Sequence, residues 1–370
     1  GLVLLLALPA AFFGAVYRSA ANEVPDEPPI EVPPSRRPAD PSSWTLLTQA
    51  MDAADDDDEI GSLFQNDGSA LDPSELSRWQ GDAEALALLD RVAVREGLSV
   101  PIPRTWDEPL PDMMGLIELR ASQRLRAADL EHQGRTDEAL QVLVDILKLG
   151  ALMKDGEVHL IGFMVGSTWM DTTDLHAFGL RHSRDLALQT ALDDALRQVV
   201  TGRSGPRALA LECRLTENTL RHEDLSELIG EPAMPLLRYD ADDTIAWLRR
   251  DCRLDLEQAA KALPERVVPV HPAYWEGVGL ARLVHNPMGR LLMDQSGFGA
   301  LRFLEREDEA LEQLAALRAL TAVRAGREPD LGDPMGGTFL LTDTALTSAH
   351  DGVVTGQDTL TLRWPVHPLP

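Results

Sequence analysis

The stretch that decides the fold is AADLEHQGRTDEAL, residues 127–140. Apolar residues recur at three- and four-residue spacing on both sides of Gly134, which is typical of two amphipathic helices joined by a tight turn. The spacing continues beyond the quoted stretch through Leu140, Leu143 and Leu147. The sequence therefore predicts an antiparallel helical hairpin over about 113–154, with Gly134 in the turn.

The helical spacing extends over most of the chain, from Trp44 to about Gly326. Beyond Gly326 the pattern changes to alternating apolar and polar residues or to β-branched runs, which favours strands. These runs cover 337–343, 344–349 and 359–364, with turns expected at 350–352 and 355–357. The predicted fold class is mainly α, an irregular antiparallel helical bundle or array with a small C-terminal antiparallel β-sheet.

Composition changes divide the chain into four parts. We expect a membrane anchor or signal segment, a Pro-rich linker, a helical domain, and a long helix with a small sheet packed on that domain. The expected boundaries are 1–21, 22–43, 44–296 and 297–370.

Residues 2–16 form an uncharged apolar run, LVLLLALPAAFFGAV. A helix of this length spans about 22 Å, so a few further apolar residues before Gly1 would complete a crossing of the roughly 30 Å hydrocarbon layer. Three interpretations stay open: a single-pass anchor, a cleaved signal peptide that uses the small residues 19–21, and a buried core helix.

The segment 22–43 reads NEVPDEPPIEVPPSRRPADPSS and interleaves seven prolines with charges. Such a composition favours a stiff, extended spacer. An apolar segment followed by a spacer places the folded part outside the cytoplasm. The expected location is the bacterial inner membrane, with the folded part in the periplasm; secretion after signal cleavage is the alternative.

The chain is strongly acidic, with 60 acidic and 34 basic side chains and a net charge of −26. This charge argues against a nucleic-acid partner, because such a surface repels phosphates. It equally disfavours adsorption on an anionic lipid surface. Membrane association is therefore expected only through the N-terminal segment.

The two cysteines, Cys213 and Cys252, each lie on an apolar stripe of a predicted helix. Two antiparallel helices would bring them together, and an oxidising compartment would then join them as a disulfide. Two independent buried thiols are the alternative. A metal site needs more ligands than this pair supplies.

The chain carries none of the local patterns of a serine-hydrolase elbow, a zinc-protease helix, a phosphate loop, a dinucleotide fold or a dithiol motif. The acidic run 55–59 lacks the ligand spacing of a calcium loop and is interpreted as a solvated helix end. The groups Asp129/His132 and 171–176 are interpreted as exposed helix patches. We therefore predict no catalytic residue, no metal site and no cofactor.

The hairpin around Gly134 resembles a tetratricopeptide helical pair, with a generic antiparallel pair as the alternative. Such pairs bind proteins through their exposed residues. Glu131, Gly134, Arg135 and Asp137 are the candidate interaction residues, and the charged three are expected to be exposed. A second feature is Gly162 with Gly166, whose spacing permits a close helix crossing.

The chain as a whole resembles a loose group of bacterial envelope proteins without an established activity. The likeness rests on short motifs: 134–140, 147–150, 160–166, 286–292 and 327–336. The turn Asp333-Pro334-x-Gly336 after a long helix is similar to the turn before the C-terminal sheet of secretion pseudopilins. The resemblance implies an anchored helical body with a pseudopilin-like end.

These observations favour a membrane-tethered extracytoplasmic interaction or scaffold protein that binds a protein partner in the cell envelope. Two alternatives remain. One is an envelope hydrolase whose site is assembled from distant residues, and the other is a pseudopilin-like subunit of a secretion or pilus system. A pocket with convergent Asp, Glu and His would favour the hydrolase.

Overall fold

The computed structural model describes residues 24–54, 83–105, 108–109, 113–222, 239–261, 265–267, 269–271, 300–334, 336–342, 345–348 and 360–363, with Tyr274, Asn286, Met288, Arg290, Leu292 and Met293. The predicted anchor at 1–21, the acidic run 55–59 and the turns at 350–352 and 355–357 lie outside these residues. Within the described part, no helix is both long and apolar enough to cross a bilayer.

The described residues are mainly helical and end in a small sheet, which confirms the predicted fold class. The helices are α1 Pro41–Ala53, α2 Ala83–Ala93, α3 Met114–His132, α4 Thr136–Asp155, α5 Leu160–Trp169, α6 Thr173–Arg181, α7 Leu186–Gln198, α8 Gly205–His222, α9 Ala241–Ala259 and α10 Ala300–Arg324. The strands are β1 Leu340–Leu341, β2 Ala345–Thr347 and β3 Thr361–Arg363, antiparallel in the order β1-β2-β3.

The predicted hairpin is present as α3 and α4. Gly134 lies in the left-handed region with φ of 76°, where a residue without a Cβ is favoured. The Arg135 N–H donates to the Leu130 carbonyl at 2.9 Å, which closes the end of α3 by a Schellman-type bond. Leu140, Leu143 and Leu147 are buried, as their spacing predicts.

Helix α4 lies at the centre of the core. It packs against α3 on one side and against α5 on the other, with α2, α6 and α7 covering further parts of it. Every residue from Ala151 to Asp155 is buried, although the last two are charged. The second half of this helix is therefore surrounded by other elements.

Helices α4 and α5 cross through Gly150 and Gly166. A Cβ at Gly150 would lie 2.9 Å from the Gly166 carbonyl oxygen, and one at Gly166 would lie 2.5 Å from the Lys154 nitrogen. These backbones touch because neither position has a side chain. Gly162, the other glycine of the predicted crossing, faces Val158 instead.

The sheet packs on α10 through its buried residues. Leu346 pairs with Leu362 across β2 and β3, and both join Phe339 in the core. Glu312 of α10 is buried and hydrogen-bonded to the Ser348 side chain, just after β2. Burial raises the pKa of Glu312 to about 7 against that bond, with Asp333 and neighbouring carboxylates adding to the rise.

The Pro-rich segment is extended, but it is not a free spacer. Residues 24–40, which we call the strap, lie against the helical body, and Ile30 is part of the core. Arg37 donates to the Val200 and Glu96 carbonyls, and a Cβ at Gly97 would overlap the Pro38 carbonyl. Over its described residues 24–40, the segment predicted to be a linker therefore packs on the helical body, and the boundary at residue 44 stays a prediction.

We expect Gly150→Ala to lower the stability by at least about 2 kcal/mol, because the new methyl group meets backbone atoms that cannot move aside. Gly115→Ala is the matched control. A Cβ there lies 3.1 Å from the flexible Met51 side chain, and a helical alanine gains about 0.5–1 kcal/mol over glycine. Thermal unfolding followed by circular dichroism measures both, and equal melting temperatures would refute the close crossing.

A second expectation concerns pH. Since the folded pKa of Glu312 is about 7 against an ordinary 4.5, the folded chain keeps a proton that the unfolded chain releases. The stability therefore falls as pH rises from about 4.5 to 7. Glu312→Gln should exceed the wild type in unfolding free energy by about 1–3 kcal/mol at pH 8 and match it near pH 4. A difference independent of pH in urea titrations would contradict this.

Candidate functional site

The predicted interaction residues lie together at the tip of the α3–α4 hairpin. Gly134, Arg135 and Asp137 are exposed, as expected. Arg135 forms a bidentate pair with Glu138, at 2.7 and 2.6 Å, and both side chains face solvent. Such a pair contributes little to stability, so it is free to exchange partners.

Glu131 does not match the expectation of an exposed side chain. It is half-buried and accepts two bonds from Arg181 at the end of α6, at 2.8 and 2.7 Å. The His182 ring nitrogen Nε2 lies 2.8 Å from the same carboxylate. Burial raises the pKa of Glu131, but the bonds from Arg181 and His182 outweigh it and hold the pKa below its ordinary value. Glu131 fixes the tip to α6.

The position of α4 limits the tetratricopeptide-like interpretation. A binding groove needs an open face on the second helix, and the second half of α4 is buried by its neighbours. The tip presents a run of exposed residues that includes Gly134 and Arg135. The candidate interaction surface therefore consists of Gly134, Arg135, Asp137 and Glu138.

Cys213 of α8 and Cys252 of α9 are joined as a disulfide, with Cα atoms 6.2 Å apart and both residues buried. The bridge closes a loop with a sequence separation of 39 residues. Glu217 and Arg249 add a bidentate pair between the same helices, at 2.5 and 3.0 Å. Helices α8 and α9 are thus held as one unit.

A buried network of charges joins α4, α8 and α10. The Lys154 ammonium is fully buried and donates to Asp155 at 2.6 Å, to Glu307 at 2.9 Å and to the Gly202 carbonyl. Its three protons thus have three acceptors. Ser204 Oγ also donates a hydrogen bond to Asp155 Oδ1, at 2.8 Å.

Glu307 also caps the N-terminus of α8. Its two carboxylate oxygens accept the backbone N–H groups of Ser204 and Gly205, at 2.6 and 2.9 Å. These are donors that a helix start leaves without an intrahelical partner, and a negative charge there is favoured by the helix dipole. The carboxylate therefore serves as both an ion-pair partner and a helix cap.

The next residue, Asp308, lies between two arginines. Its oxygens are 2.9 Å from Arg203 and 2.5 Å from Arg266. Burial raises the pKa of Asp308, and the two guanidinium groups oppose that rise. With Lys154, Asp155 and Glu307, these residues balance three positive and three negative charges. We interpret the network as structural, because its members bind one another.

A second polar cluster lies on α9 and the segment that follows it. His271 Nε2 lies 3.1 Å from Asp255 Oδ1, and its Nδ1 lies 3.7 Å from Asp251 Oδ2. The Tyr274 hydroxyl donates to Asp251 at 2.7 Å and accepts from Arg250 at 2.6 Å. One imidazole thus lies between two carboxylates.

This cluster contains carboxyl and imidazole groups, which can exchange protons. Burial raises the pKa of Asp255 to about 6 against the opposing effect of His271, and burial also raises the pKa of Asp251. The His271 side chain keeps 30% of its surface exposed, so solvent reaches it. Asp251 and Asp255 lie four residues apart on one helix face, which is a local signal in the sequence, but no local pattern points to the histidine that joins them.

The acidic side chains of the groups Asp129/His132 and 171–176 are engaged in contacts with other residues. Asp171 lies 3.6 Å from Arg120, Asp174 pairs with Arg124, and Asp129 accepts from Gln133. Within the part of the chain that the structure describes, no group of three or more His, Cys, Asp or Glu residues is arranged to hold a metal ion.

Comparison with known protein families, with curated proteins and with solved structures finds no match to this chain. Its function is therefore inferred from its own residues. The likeness to bacterial envelope proteins stays a prediction.

We expect Glu307→Ala to lower the unfolding free energy by about 3–5 kcal/mol, because the buried Lys154 ammonium loses one of its three acceptors and two helix N–H groups lose theirs. Glu138→Ala, which removes an exposed ion pair, is the control and should unfold like the wild type. Urea denaturation measures both. Equal midpoints for the two variants would show that the network does not support the fold.

Proposed function

We propose that this chain is an extracytoplasmic, membrane-tethered interaction or scaffold protein of the bacterial cell envelope. The observation that carries the proposal is the buried disulfide between Cys213 and Cys252. Disulfides persist in oxidising compartments and are rare in the cytosol of mesophiles. The uncharged apolar run at residues 2–16 supports the same location, since it is suited to a membrane segment.

The hairpin tip is the proposed contact for a protein partner. Arg135 and Asp137 are exposed side chains of opposite charge on a rigid turn, which Glu131 fixes to α6. A rigid polar tip binds with little loss of conformational entropy.

An envelope hydrolase is the second candidate, and the cluster of Asp251, Asp255 and His271 favours it. A carboxylic acid with a pKa of about 6 beside an imidazole suits general acid–base catalysis near neutral pH. Release of dye from a labelled cell-wall polymer tests this candidate. His271→Asn should abolish release while leaving the melting temperature unchanged, and the absence of release by the wild type would exclude that substrate class.

The location is tested by the thiol state of the full chain in cells. We expect Cys213 and Cys252 to resist a maleimide reagent under denaturing conditions unless a reductant is added first. Reduction of the purified chain should lower its stability by about 3–4 kcal/mol. The double variant Cys213→Ala/Cys252→Ala is the labelling control. Free thiols in intact cells, without reductant, would contradict an oxidising compartment.

The tip is tested by photo-crosslinking in native membranes. A photoreactive residue at Asp137 should give a discrete crosslinked product, and Arg135→Ala should weaken that product without changing the melting temperature. Glu257, exposed on α9, is the matched control position. The same products from both positions would overturn the assignment of the tip as the contact surface.

A further inference from the structure

The strap is held on α9 by two arginines. Arg249 Nη1 donates to the Glu27 carbonyl at 3.1 Å, and Arg253 Nη2 donates to the Pro28 carbonyl at 3.3 Å. Arg253 also pairs with the Glu27 carboxylate. The two arginines are four residues apart on α9, so they lie on one helix face.

The strap is rich in proline, with Pro25, Pro28 and Pro29 close together. Prolines fix φ near −65°, and each one pushes its preceding residue to extended backbone, so the segment favours a polyproline II helix. Three residues make one turn of that helix. Val24, Glu27 and Ile30 therefore share one edge, and all three are wholly or partly buried, whereas Pro28 and Pro29 are exposed.

The α9 surface that binds the strap is held in place by contacts with α8. The bidentate pair with Glu217 of α8 orients the Arg249 guanidinium. Cys252, which is bridged to α8, lies between Arg249 and Arg253 in the sequence. A preorganised site binds its ligand with less loss of entropy than a flexible one.

We propose that this surface of α9, defined by Arg249 and Arg253, is a binding site for an acidic, proline-rich segment of a partner protein, and that the strap is its intramolecular competitor. The ligand needs free carbonyls on a polyproline II backbone, a glutamate for Arg253 and an aliphatic residue three positions later. Its acidity suits two arginines. The strap itself, Glu27-Pro-Pro-Ile30, meets each requirement.

The proposal does not depend on the cellular compartment or on the hairpin tip. Because the strap is covalently attached, its effective concentration at the site is in the millimolar range, and a free peptide competes poorly. Release of the strap therefore uncovers the site. Polyproline II recognition through backbone carbonyls and one or two side chains is a general mode of peptide binding.

The test uses the full chain and a fluorescein-labelled peptide of residues 22–34, followed by fluorescence anisotropy. The peptide contains four acidic residues and the chain carries a net charge of −26, so non-specific attraction is disfavoured. The double variant Glu27→Ala/Ile30→Ser weakens the attached strap. It should bind the peptide at least about tenfold more tightly than the wild type.

Adding Arg253→Ala to that double variant should weaken peptide binding at least about tenfold, because the carboxylate and one carbonyl lose their partner. Adding Arg184→Ala, at an exposed position just before α7, is the control and should leave binding unchanged. Glu27→Ala alone should give intermediate binding, which keeps the test valid if the double variant does not fold.

Three outcomes would overturn the proposal. The first is no peptide binding by either strap variant while both remain folded. The second is binding that Arg253→Ala does not change. The third is a wild-type dimer that Arg253→Ala dissociates, because the site would then take the strap of a second copy of this chain.

Discussion

The fold depends on the carboxylate of Glu307. It accepts hydrogen bonds from the buried Lys154 ammonium of α4 and from two backbone N–H groups at the start of α8, so three elements meet at one side chain. A buried charge is costly unless its partners are complete, and this one has them. The arrangement fixes the register of α10 against α4, since a shift of one residue removes every bond at once.

A series of contacts connects the Glu307 carboxylate to the strap. Helix α8 begins at the Glu307 carboxylate, and its middle is joined to α9 by the disulfide and by the Glu217–Arg249 pair. Arg249 in turn holds the strap. The α9 surface is therefore positioned by interactions that start in the centre of the core. Asp251 and Asp255, the two carboxylates that bind His271, lie on the same helix.

The helices, the Gly134 turn and the burial of Leu143 were predictable from sequence, because each depends on residues within one or two helical turns. The long-range contacts were not predictable. Proline content indicates an extended backbone but not whether it docks, and the strap binds residues more than 200 positions away. Helical spacing alone predicts that Glu131 is exposed. Its partner Arg181 lies 50 residues further along the chain, so the local sequence does not reveal the contact. Of the site residues, the cysteine pair was found through its apolar stripes, whereas Lys154 and His271 gave no local signal.

The order of synthesis determines when the strap can bind α9. It leaves the ribosome before α9, and Arg249 and Arg253, which bind it, are made about 220 residues later. At roughly 5–20 residues per second, the strap has no partner on α9 for about ten to forty seconds. Its acidic side chains and prolines keep it soluble and prevent strand pairing during that interval. The same composition that favours docking in the finished protein thus protects the nascent chain from aggregation.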